Sequence, residues 1–75
     1  MPDAWVGKRV SVVFLDEQGR SLPKRSGWLR GVSEEGIEFA QEFWSDSLKK
    51  PIPGNARVYP WSRVGGMALL RGQGT

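Results

Sequence analysis

The sequence predicts an all-β fold, a small five-stranded barrel preceded by a short helical turn, and three observations lead to it. Five short runs rich in β-branched and aromatic residues are separated by Gly, Pro and polar clusters within 75 residues. The first run is apolar on both faces, so a flat sheet would leave one of them uncovered. Glycines fall inside later runs, where the strands of a small barrel must bend or approach one another. Closure also removes the exposed edges of a flat sheet.

Residues 1–6 hold at most one helical turn, with Pro2 and Asp3 as start signals, before Gly7 breaks it. Residues 10–15 form the first strand. Val10, Val12 and Phe14 share one face, and Ser11, Val13 and Leu15 the other, so both faces are expected to be covered. Residues 16–26 are polar and carry Gly19 and Pro23, the marks of a long connection. Residues 27–32 are the second strand, and Ser33, Glu34, Glu35 and Gly36 make a tight hairpin turn. In the third strand Ile37, Phe39, Gln41 and Phe43 form a mainly apolar face, alternating with Glu38, Ala40, Glu42 and Trp44. Pro51, Pro53 and Gly54 lie within 45–55, where the sheet is expected to be interrupted. Residues 56–59 resume as the fourth strand and stop at Pro60, which has no N–H for a ladder. Residues 60–63 make a tight turn, 64–70 are an apolar fifth strand, and 71–75 are expected to form a flexible tail.

Composition narrows the function classes. The chain, 1–75, is shorter than most domains and has room for one. It contains no cysteine, which removes disulfides, thiol chemistry and zinc knuckles together. It contains no histidine, which removes His-based triads, His-ligated metals and the usual general base near neutral pH. An enzyme is therefore not expected, nor a metal or other cofactor. Without disulfide or metal, so small a domain depends on dense aromatic packing or on association. Four tryptophans, three phenylalanines and one tyrosine supply the first. Apolar stretches such as 10–15 fall far short of the ~20 residues of a membrane-spanning helix. No charged-then-apolar leader is evident, so a cytoplasmic protein without a membrane partner is expected.

The net charge of +3 is unevenly distributed. Residues 31–48 hold five carboxylates and no base, whereas 49–75 hold five bases and no acid. Such a division suits an ordinary solvated surface, a basic face for phosphate, or oppositely charged strands that pair within or between subunits.

Residues 5–12 (WVGKRVSV), 27–32 (GWLRGV) and 36–39 (GIEF) resemble the first Sm motif, and 58–67 (VYPWSRVGGM) resembles the second. These pieces make up a little over a third of the chain and follow the family's order. The resemblance implies a strongly bent, five-stranded, SH3-like or Sm-like barrel that assembles into a homo-oligomeric ring by pairing its fourth strand with the fifth strand of the next copy. It also implies single-stranded RNA as the partner, bound near the pore through the loops after strands two and four. The sequence departs from the family pattern in three places. Glu34 and Glu35 stand in the turn that usually carries an RNA-contacting Asp or Asn, Pro60-Trp61 replaces the Arg-Gly of the second motif, and the connection after strand one is long and basic.

Several residues are candidates for the RNA contact. Trp61, in a turn after proline, either stacks on a base or packs in the interior or at a subunit contact, packing being the simpler role. Arg57 and Arg63 either hold phosphate or pair with Glu38 or Glu42. Lys24, Arg25, Lys49 and Lys50 are loop clusters that would make the first electrostatic contacts. Val58 and Tyr59 on strand four, with Val64, Met67 and Leu69 on strand five, are the expected interface between copies. The expected function is a non-enzymatic, ring-forming RNA-binding module. The alternative is a structural or protein-interaction barrel that meets a protein partner and does not bind RNA. A barrel enclosing a small ligand is not expected, because 75 residues leave little volume for a cavity.

Overall fold

A computed structural model describes residues 3–70. Five strands form one antiparallel sheet: β1 (Arg9–Phe14), β2 (Arg25–Val32), β3 (Gly36–Ser45), β4 (Lys50–Pro60) and β5 (Val64–Leu69). Single 3₁₀ turns, Asp3–Trp5 and Trp61–Arg63, precede β1 and link β4 to β5. The spatial order is β4-β3-β2-β1-β5, so the sheet is open and β4 and β5 are its two edges. The expected tail, 71–75, and the first two residues of the N-terminal turn lie outside the described residues.

The short link between the two edges dictates the shape. In a flat sheet, four strand spacings would separate β4 from β5 by about 19 Å. The chain from Pro60 to Val64 can cover at most about 14 Å. The sheet therefore curls. Register shifts at Val13/Phe14, Leu29/Gly31 and Ala40/Glu42 supply the bends. Gly27 permits one close approach: a Cβ there would strike the Ala40 carbonyl and the Phe39 ring. Gly36 permits another, because a Cβ would meet the Tyr59 carbonyl where β3 passes the end of β4.

The concave side is the core. Val10, Val12, Leu29, Ile37 and Phe39 are fully or almost fully buried and Phe14 nearly so, following the predicted alternation in β1 and the first half of β3. Each such side chain contributes roughly 1.5–3 kcal/mol on leaving water. Trp5, Leu22, Val32 and Trp61 pack around this cluster from the connections and the end of β2. On the convex side Arg9 of β1 reaches across β2 to Glu42 of β3 in a two-pronged ion pair, Nε to Oε1 and Nη2 to Oε2, both 2.8 Å.

Five expectations are corrected. The sheet is not interrupted over 45–55: Asp46 to Lys49 make a turn, and β4 pairs with β3 from Lys50 onward. Pro51 and Pro53 are tolerated because β4 is an edge strand with one side free of a ladder. Phe43 does not continue the buried face of Ile37 and Phe39. Beyond Gln41, β3 has only β4 beside it, so Phe43 is 55% and Trp44 63% exposed. Ala40, placed by alternation on the acidic face, is fully buried. The second face of β1 is only half covered, with Ser11 and Val13 lining a shallow convex groove. The connection after β1 is also shorter than expected: Leu15 bridges Ser21, and Arg25 and Ser26 already belong to β2.

Candidate functional site

The curl brings one end of β2, the far half of β4 and the Trp61–Arg63 turn to the same rim. Arg57 lies two residues before Tyr59, so both point to the concave side of β4. Tyr59 stacks on Phe14, with ring centroids 4.3 Å apart, and meets the edge of Phe39 at 6.3 Å. Two concavities open beside it. The first, about 260 Å³, is walled by Phe14, Leu15, Leu22 and Pro60, with Arg25 and Arg63 at its polar side. The second, about 240 Å³, is lined by Gln41, Phe43, Asn55 and Arg57 and shares Arg25 and Tyr59 with the first.

Three guanidinium groups thus converge, and among the described residues no carboxylate lines either concavity. Arg63 is fastened at its base: its Nε donates to the Leu15 carbonyl at 2.8 Å, while its own carbonyl accepts from the Leu15 N–H at 2.8 Å. Arg25 donates from Nη1 to Gln41 Oε1 at 3.2 Å. Arg57 has no side-chain partner among the described residues; Glu42, one of its two expected partners, is held by Arg9 instead. The Asp16 carboxyl lies below its ordinary range, chiefly because it accepts the Arg20 backbone N–H, with smaller help from the Gln18 N–H, the Arg20 side chain and the charge of Arg63. Planar guanidiniums bind phosphate or carboxylate through paired N–H donors, and exposed aromatic faces accept a stacked ring.

The other predicted contacts lie elsewhere. Lys49 sits in the β3–β4 turn with φ +58°, and Lys50 opposes Ser45 at the far end of that hairpin. Seven residues of extended strand put Lys50 roughly 20 Å from Arg57. Lys24 borders the convex groove beside Val13, Met67 and Leu70. Trp61 is half-buried against the core, its Nε1–H donating to the Ser33 carbonyl at 2.8 Å, and it lines neither concavity. Of the expected interface, Val58 is 64% exposed, but Tyr59, Val64, Met67 and Leu69 pack on their own core. Gln41, Asn55, Phe43 and Leu22 were missed as lining residues. The alternation Asn55, Arg57, Tyr59 was a signal for Asn55, hidden by starting the fourth strand at Ala56.

Among the described residues no group of three or more carboxylates gathers as a metal site, and no helix is long and apolar enough to cross a membrane. Comparisons with family models, curated proteins and solved structures returned no match.

Proposed function

We propose that the protein is a non-enzymatic cytoplasmic module of the Sm-like kind, a strongly bent barrel that binds single-stranded RNA and assembles as a homo-oligomeric ring. The observation that carries this reading is the convergence of Arg25, Arg57 and Arg63 around Tyr59, with no acid among the described residues of the lining. Phosphates supply the complementary charge, and single strands leave bases free to stack. The ring rests on the two free edges of the sheet. Pro51, Pro53 and Pro60 lack N–H donors, so a β5 from another copy has its best ladder along the intervening Gly54 to Tyr59.

Salt titration of a labelled single-stranded RNA tests the reading. Three phosphate contacts give a slope of about −2 in log affinity against log salt, a loss of roughly 20-fold from about 50 to 200 mM. Arg57→Ala with Arg63→Ala should weaken binding and lower that slope. No binding at low salt, or an unchanged slope in the double variant, would refute it.

A second reading is favoured by one observation. Phe43, Trp44 and Leu48 are each more than half exposed on the projecting β3–β4 hairpin, a surface suited to a protein partner rather than to RNA. Loss of partner capture by Trp44→Ser, with RNA absent throughout, would support it.

A further inference from the structure

The two concavities meet along Arg25 and Tyr59 but differ in chemistry. The first is apolar, walled by Phe14, Leu15 and Leu22. The second presents hydrogen-bond donors and, among the described residues, no carboxylate. Arg57 has no side-chain partner among the described residues, and because Gln41 Oε1 accepts from Arg25, the Gln41 amide N–H₂ remains available beside Asn55. Together the lobes reach the size of small-ligand sites, roughly 300–1,000 Å³.

From this pairing we infer that each protomer seats one nucleotide on its own, the base in the apolar lobe and the phosphate between Arg25 and Arg57. The inference rests on the nucleic-acid reading of the site and makes it narrower: the seat needs neither a neighbouring copy nor a second nucleotide. Tyr59 is the partition between the lobes. Its ring is braced by Phe14 at 4.3 Å, so little side-chain freedom remains to be lost on binding. Arg63, tethered to the Leu15 carbonyl through Nε, lines the apolar lobe and has further N–H groups that would serve the polar edge of a seated base or the ribose. A bare anion would fill only the second lobe, and an uncharged nucleoside only the first.

The test is a titration of the intact protein, followed by amide and side-chain NMR, with adenosine and uridine 5′-monophosphates, the two nucleosides and inorganic phosphate. At least one monophosphate should bind at least tenfold more tightly than its nucleoside and than phosphate, moving Leu22 and Asn55 signals together. Arg57→Ala, an exposed change, should cost the monophosphate at least tenfold and leave the nucleoside unaffected. Leu22→Trp, which fills the apolar lobe, should weaken both. If RNA binds with the expected salt slope but neither monophosphate perturbs these signals, the one-nucleotide seat is wrong and the RNA reading stands. If a monophosphate binds and RNA does not, the seat stands and the RNA reading falls. Phosphate binding as tightly as the monophosphate would reduce the seat to a plain anion site and overturn the inference.

Discussion

The rings of Phe14 and Tyr59 lie 4.3 Å apart although β2 and β3 stand between their strands in the sheet. In a flat sheet three strand spacings would hold those backbones about 14 Å apart. The contact thus measures the curl, and it joins the core to the arginine-lined rim, since Tyr59 walls both concavities.

Tyr59→Ala should therefore destabilise the protein by about 2–4 kcal/mol, because it removes a ring from the closing contact and opens the core. Val58→Ala, one residue away and 64% exposed, should cost less than about 0.5 kcal/mol. Urea denaturation of the two variants makes the comparison. Equal losses would show that Tyr59 does not close the sheet.

The Arg9–Glu42 pair links β1 to β3 with both carboxylate oxygens engaged, and its side chains are 28% and 23% exposed. Glu42→Gln keeps the shape and removes the charge, and should cost about 1 kcal/mol, less in high salt. Denaturant midpoints at low and high salt read this directly; no change at either would make the pair incidental.

Assembly is best probed away from the core. Val58→Lys and Ala68→Lys change exposed positions on β4 and β5 and should dissociate an oligomer without unfolding the protomer. Met67→Lys and Leu69→Lys should unfold it instead, since both side chains pack on the core. Sedimentation together with circular dichroism separates the outcomes, and a monomeric unmodified protein would end the ring proposal.

Asp16 holds the turn after β1 through hydrogen bonds from the Gln18 and Arg20 N–H groups, both 2.9 Å, and an ion pair with Arg20 at 3.2 Å. These contacts lower its folded-state pKa, with the Arg20 N–H first among the causes. The stability they contribute is complete above the ordinary value of 3.8 and is lost as the pH falls through the lower folded-state value. The urea midpoint of the unmodified protein should exceed that of Asp16→Asn at about pH 6, and the gap should close by about pH 2. A gap that persists in acid would assign the difference to the shape of the turn.

By itself the sequence determined the all-β class, the five strands, the hairpin turn at Ser33 to Gly36, a tight turn over 60–63 and most of the core. These follow from alternation and from Gly and Pro punctuation, which act over a few residues. Arg57 and Arg63 stood out as candidates on the same local grounds, but nothing local placed Arg25 beside them and Lys49 far away. The phase of β3 beyond Ala40 was lost because a bulge shifts the alternation, and because Phe43 and Trp44 extend past the end of β2. The start of β4 was lost because prolines that would break an inner strand are harmless on an edge. Only the tertiary structure decided that Arg25, Arg57 and Arg63 share one rim, that Glu42 belongs to Arg9, and that the apolar residues of β5 serve their own protomer. Each of these depends on how far the sheet curls, which is set by contacts between residues dozens of positions apart in the chain.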